Sequence, residues 1–280
     1  MFASELVILD LETTGMSPGI DRVTEVAILR VRDGAIAEEW STLVNPGRPI
    51  PSAIRSLTGI SDDMVADAPR FAVVASAIGE RINGSILVAH NARFDYGFLK
   101  AEFAQAGIPF SARALCTVRL SRALYPQHRG HGLDAIIARH GLAAEGRHRA
   151  AGDARMVWDF IRAMYRELPA ERVEAATRRL LQRPSLPAQL APDALDAIPH
   201  EPGVYVFYGA NRQPLYVGKS VDLRERIGAH FSSDHRSERD LRLSQELVAI
   251  EHETTVGELG ALLRESALVK LLFPAHNVQR

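Results

Sequence analysis

A single cysteine, Cys116, stands in 280 residues. That excludes an intramolecular disulfide and a cysteine-ligated zinc site, and Cys116 itself reads as a small buried residue. No apolar run approaches the eighteen or so residues that span a bilayer. The first residues hold no basic stretch followed by a signal core, because Glu5 and Asp10 interrupt the apolar run. A cytoplasmic protein with no membrane partner is the expectation. An excess of either charge is missing too: the net charge is −1, so broad, non-specific attraction to nucleic acid is not expected. The charge is unevenly spread, however. Residues 113–155 carry eight arginines against Asp134, Glu145 and Asp153. This is either a patch that would meet a polyanion or a solvated surface.

The hydrophobic fraction of 46% and charged fraction of 24% are those of a globular chain, long enough for one large domain or two modest ones. Strand patterns fall at 5–12, 22–31 and 35–44, with Asp33-Gly34 as a hairpin turn between the last two. Helical periodicity follows at 71–82, a short apolar strand at 85–90, and helices at 94–107, 117–124, 132–140 and 150–166. Strands first, then alternating helix and strand, describe an α/β domain with a mixed sheet. Near residue 168 the texture changes, and six of the fifteen prolines lie between Pro169 and Pro202. We read residues 1–182 as a first domain, 183–199 as a proline-rich linker or strap, and 200–280 as a second α/β domain. In the latter, strands are expected at 203–208, 214–218 and 247–255, and helices at 221–230 and 257–272. The chain stops three residues after Asn277, which leaves open whether it is a whole protein or a piece of a longer one.

The stretch LVILDLETTG (6–15) holds a conflict. Its apolar run suits a strand buried on both faces, yet Asp10 and Glu12 end it on one face, roughly 7 Å apart at about 3.3 Å per residue. Two carboxylates beside apolar surface repel each other, and one would be expected to keep its proton. A divalent cation with oxygen ligands removes the conflict; a plain polar strand end is the bland alternative. Other acids lie further along. In AHNARFD, Asn91 suits a helix N-cap and puts Asp95 in the first helical turn, where the dipole favours an ionised carboxylate. His90 and Asn91 would shape the same place. In HRAAGDA, His148 and Asp153 are five residues apart, and they converge only if Asp153 is helical and His148 lies in the loop before it.

LDLETTG, HNARFD and HRAAGDA, in this order, resemble the three motifs of the DEDDh exonucleases, the family of the proofreading subunit of bacterial DNA polymerase III. The resemblance covers about residues 1–170 and implies a ribonuclease-H-like fold. It also implies two Mg²⁺ or Mn²⁺ ions held by Asp10, Glu12, Asp95 and Asp153, with His148 as general base and Asn91 near the substrate. The physics agrees. Two cations a few ångströms apart stabilise both the attacking and the leaving oxygen of a phosphodiester, and an imidazole takes a proton near neutral pH.

Residues 202–277 contain PGVYVFYGANRQPLYVGKSVDLRERIGAHF and ELGALLRESALVKLLFPAHN. Taken singly, Tyr205 and Tyr216 are amphipathic strand residues, and Arg226 and Glu265 solvated helix residues. Together they resemble the GIY-YIG nuclease domain, and most closely the N-terminal incision domain of the UvrC excision-repair endonucleases. Val204 and Val217 replace isoleucine, and His276 stands where an aromatic is common. The resemblance implies one Mg²⁺ on Glu265, Arg226 on the phosphate, Tyr205 or Tyr216 aiding the attacking water, and Lys219 and Asn277 near the substrate. The expected protein is a DNA repair nuclease acting on 3′ ends and on nicked or damaged duplex, with repair or replication proteins as partners. An RNA 3′-processing exonuclease, or an exonuclease whose second domain only binds nucleic acid, are the alternatives.

Overall fold

The computed structural model describes residues 5–182, 186–187, 189–190, 194–233 and 238–277. It divides into two compact units, 1–183 and 184–280. The first opens with β1 (Leu6–Thr13), β2 (Val23–Arg32) and β3 (Ala35–Leu43), followed by α1 (Ser52–Thr58), α2 (Asp62–Val65) and α3 (Phe71–Ile82). Then come β4 (Ile86–Ala89), α4 (Ala92–Gln105), β5 (Arg113–Cys116) and α5 (Thr117–Leu124). Helices α6 (Leu133–His140), α7 (Ala150–Glu167) and α8 (Ala170–Gln182) complete it. The expected mixed sheet is present, in the order β3-β2-β1-β4-β5. β1 runs antiparallel to β2 and parallel to β4. Helices α1 and α2 and the strand β5 were not legible in the sequence, since four to seven residues are too few for a periodicity to show.

β1 sits in the middle of the sheet, so both of its faces are covered. Leu6 and Ile8 pack with Leu120, Ile136, Val157, Phe160 and Met164 on the side of α5 to α8. Val7, Leu9 and Leu11 pack with Phe71, Ile78, Phe98 and Phe103 of α3 and α4 on the other. Each such side chain contributes about 1.5–3 kcal/mol on burial. The alternation of period two then decides where the acids point. Asp10 and Glu12 continue the face of Leu6 and Ile8, toward α7, which packs across β1 and β2.

The second unit contains β6 (Gly203–Tyr208) and β7 (Pro214–Ser220), joined through a 3-10 turn at Ala210–Arg212. Next come α9 (Leu223–Ser233), α10 (Glu238–Glu246), β8 (Ala249–Thr254) and α11 (Glu258–Leu272). The sheet is antiparallel, in the order β7-β6-β8. Tyr205 and Phe207 pack on one face with Leu223, Ile227 and Phe231 of α9. Val206, Tyr208 and Val217 pack on the other with Leu268, Val269 and Leu272 of α11. Of the segment read as a linker, residues 183–185, 188 and 191–193 lie outside the described residues. Leu186, Leu190 and Ile198 are buried in the core of the second unit. No helix among the described residues is long and apolar enough to cross a membrane.

Candidate active site

Asp10 and Glu12 leave the end of β1 on the α7 side, and Asp153 meets them from the first turn of α7. One ligand oxygen from each lies within 4.8 Å of the other two. Asp95, in the first turn of α4, is 2% exposed and falls outside this trio, yet its charge is felt at Asp10. Burial, then the charges of Asp95, Asp153 and Glu12, push the Asp10 carboxyl well above the usual range. Burial, then Asp153 and Glu25, push Glu12 up to about 7. Asp95 is raised by burial, against backbone N–H groups that include that of Leu11. Asp153 is raised by burial as well, against the pull of Arg147.

Carboxylates crowded in this way fit a hard divalent cation, which takes oxygen ligands at about 2.0–2.6 Å and neutralises their charge. Among the described residues this trio is the one group of three potential ligands so gathered.

His148 lies in the loop before α7, half-buried, with φ +62°. Its backbone N–H donates to Asp153 Oδ1 at 3.3 Å. Helix and loop touch because glycine stands at both contact points. Gly146 takes φ +72°, a conformation open to glycine, and a Cβ on Gly152 would clash with the Gly146 carbonyl oxygen. Three residues absent from the sequence reading surround the site. Arg147 donates through Nε to Asp134 Oδ1 at 2.7 Å and through Nη1 to Asp153. Glu25 of β2, opposite Glu12 in the register, is paired with Arg149. A carboxylate inside VTEVAIL was the available signal for Glu25, but its position beside Glu12 follows only from strand pairing.

Asn91 is the N-cap residue of α4, with φ +68°, a conformation asparagine tolerates, and its side chain makes no capping bond. His90 Nδ1 lies 3.0 Å from Thr117 Oγ1, which donates to the Ala89 carbonyl. Burial, then Arg147, pushes His90 down to about 4, so it is neutral near pH 7.

The acid cluster makes stability depend on pH. Each raised carboxylate binds its proton more tightly folded than unfolded, so the stabilisation is complete below the ordinary carboxylate pKa and is lost as pH rises, for Glu12 through about 7. In EDTA the Tm is expected to fall by several degrees between about pH 5 and about pH 8, and Mg²⁺ or Mn²⁺ should flatten that fall. A Tm in EDTA that rises over this range would contradict the crowding described.

In the second unit, Tyr205, Tyr216, Arg226 and His230 come together on the α9 face. The tyrosine rings are 6.0 Å apart between centroids, and Tyr205 Oη lies 2.6 Å from His230 Nε2. Gly218 leaves room for them: a Cβ there would be 2.5 Å from the Tyr205 hydroxyl. Arg226, one helical turn before His230, lies close enough to Tyr205 and Tyr216 for their charges to be felt. Burial pushes the Tyr205 hydroxyl far up, away from ionisation. His230 was missed in the sequence, although its i+4 spacing from Arg226 was visible. Glu265 is half-buried on α11, which packs on the opposite face of the sheet. Lys219 Nζ is 3.7 Å from Glu258 Oε1 on α11. Asn277 spends its amide on the Val217 backbone, accepting from N–H at 2.8 Å and donating to C=O at 2.9 Å.

Residues 7–161, which hold all three acidic motifs, match the family described as Exonuclease. The chain belongs to that family. In this exonuclease-family chain, residues 201–278 match the UvrC-like GIY-YIG domain. A Mycobacterium tuberculosis protein provisionally named as a bifunctional exonuclease/endonuclease is 34% identical over 283 residues, covering 97% of this chain and 44% of that protein. A DNA polymerase III subunit epsilon-like protein of Rhodobacter capsulatus is 40% identical over 176 residues, 61% of this chain and 25% of that protein. The chain thus spans less than half the length of either relative. E. coli exonuclease I in complex with a dT13 oligonucleotide aligns with a TM-score of 0.56 at 18% identity, over 72% of this chain and 48% of that one, a likeness of fold.

Proposed function

We propose that this chain is a metal-dependent DNA nuclease of the cytoplasm, with a 3′–5′ exonuclease in the first unit and a GIY-YIG endonuclease in the second, acting in DNA repair. The observation that carries the first half is the gathering of Asp10, Glu12 and Asp153 within 4.8 Å on the α7 side of β1, with His148 bonded to Asp153 beside them. In this reading Asp10, Glu12 and Asp153 hold one divalent cation, and Asp95, coupled to Asp10, completes the ligands for a second. The two cations supply Lewis-acid stabilisation of the attacking and leaving oxygens of the phosphodiester. His148 accepts the proton of the attacking water, and its backbone N–H on Asp153 Oδ1 seats it beside the acids. Asn91 shapes the entry at the start of α4. The product is a nucleoside 5′-monophosphate.

In the second unit, Arg226 binds the scissile phosphate through its planar fork and stabilises charge in the transition state, while Glu265 holds a single Mg²⁺. With the Tyr205 hydroxyl turned to His230, Tyr216 is the better candidate for contacting the attacking water. Lys219 adds a phosphate contact, and Asn277 acts indirectly by fixing β7 at Val217. The partners proposed are single-stranded 3′ ends and nicked or damaged duplex; RNA is the rival substrate. Matched 3′-end-labelled DNA and RNA oligonucleotides, incubated with Mg²⁺, Mn²⁺ or EDTA, decide between them. Faster stepwise shortening of DNA, abolished by EDTA, is the expected result. Faster RNA shortening would replace DNA repair by RNA 3′ processing, and trimming that survives EDTA would end the metal reading.

A further inference from the structure

Helix α7 begins without a cap of its own: its N-cap residue is Arg149, whose side chain makes no capping hydrogen bond. The missing acceptor comes from another strand. Glu25 of β2 accepts the Ala150 N–H through Oε2 at 3.0 Å, and its two oxygens take Nε and Nη2 of Arg149 at 3.0 and 2.6 Å. Two parallel N–H···O bonds fix direction as well as distance. Glu25 is a charge inside the first unit, 5% exposed, and it faces Glu12 across the β1–β2 register. A further carboxylate beside an acid cluster opposes folding unless it is neutralised and hydrogen-bonded. Arg149 and the Ala150 N–H satisfy both conditions.

The consequence falls on His148, which lies between two anchored arginines. On one side Arg147 pairs with Asp134, whose side chain is 79% exposed, and with the candidate ligand Asp153; on the other Arg149 pairs with Glu25, whose side chain is 6% exposed. Solvent screens the pair with Asp134, whereas the bidentate pair with the buried Glu25 ties the start of α7 to β2 in a fixed direction. The φ of +62° at His148 is a conformation that a residue with a side chain adopts at some cost and keeps only when its surroundings impose it. The same helix start places Asp153, whose N–H donates to the Arg149 carbonyl at 3.0 Å.

We propose that Glu25 and Arg149 are positioning residues for His148: a cross-strand cap that locks the loop before α7 so that the imidazole faces Asp10, Glu12 and Asp153. This rests on the reading of His148 as general base.

Glu25→Gln keeps the shape and one oxygen for the Ala150 N–H while removing the charge that holds Arg149. With Mg²⁺ and end-labelled DNA, kcat is expected to fall about 10- to 100-fold, with KM changed by less than about twofold. In a His148→Ala background the same substitution should change kcat by less than about twofold, because two changes acting on one group are not additive. Equal losses in both backgrounds would overturn the proposal, placing the effect on the fold or on Glu12. Should Glu25→Gln fail to fold, Arg149→Lys, which keeps the charge without the fork, is read in the same two backgrounds and by the same criterion. A His148→Ala protein as active as the parent would sink the general-base reading, and the positioning role with it. Additivity in the presence of an inactive His148→Ala sinks the positioning role alone.

Discussion

Asp10→Asn is expected to lower 3′-end trimming by a factor on the order of a thousand or more, while raising the Tm measured in EDTA. The two effects have one cause. Asp10 lies in β1 among Asp95, Asp153 and Glu12, and burial together with those charges pushes its carboxyl up. Asparagine keeps the shape and removes the charge, so repulsion in the folded state falls. About 1 kcal/mol of relief would raise Tm by roughly 2–4 °C in a domain of this size. The same charge is what a divalent cation needs. Losing several kcal/mol of transition-state stabilisation amounts to about three orders of magnitude in rate. Trimming of end-labelled DNA and thermal melts in EDTA read the two halves separately. An inactive variant that melts below the parent in EDTA would show that Asp10 supports the fold, contrary to the crowding seen here.

Glu265→Gln, made in the Asp10→Asn background, is expected to remove nicking of closed circular DNA by a similar factor. The background matters because the first unit would otherwise degrade the nicked product. Arg226, Tyr205, Tyr216 and His230 share the α9 face of the second sheet, whereas Glu265 comes from α11, packed on the other. Relaxed circles accumulating at the parental rate would mean that Glu265 holds no catalytic ion. The second unit would then serve as a nucleic-acid-binding module for the first.

Legibility differed from residue to residue. Alternation in LVILDLET predicts which way Asp10 and Glu12 point, because a strand leaves a side chain only two directions. That Asp153 meets them required a helix after a loop, and HRAAGDA carried that expectation through the five-residue gap between His148 and Asp153. Glu25 could not be assigned in the same manner. In the sequence it is an acid in an apolar strand, and its partners lie more than 120 residues away, at Arg149 and Ala150. Arg147 looked like one more member of an arginine-rich patch until the fold set it against Asp134 and Asp153. Asn277, expected near the substrate, bonds the Val217 backbone of β7, a pairing created by the return of the chain after α11.

Local patterning alone determined the strands, the longer helices and the identity of the acids, since each depends on spacing within about a dozen residues. The closeness of those acids, the cap that Glu25 lends to α7, and the faces on which Tyr205 and Glu265 stand were decided by the tertiary structure. Strand pairing and helix packing join positions that no local period relates. Only in the closed fold do like charges have to be matched by arginine or by a cation.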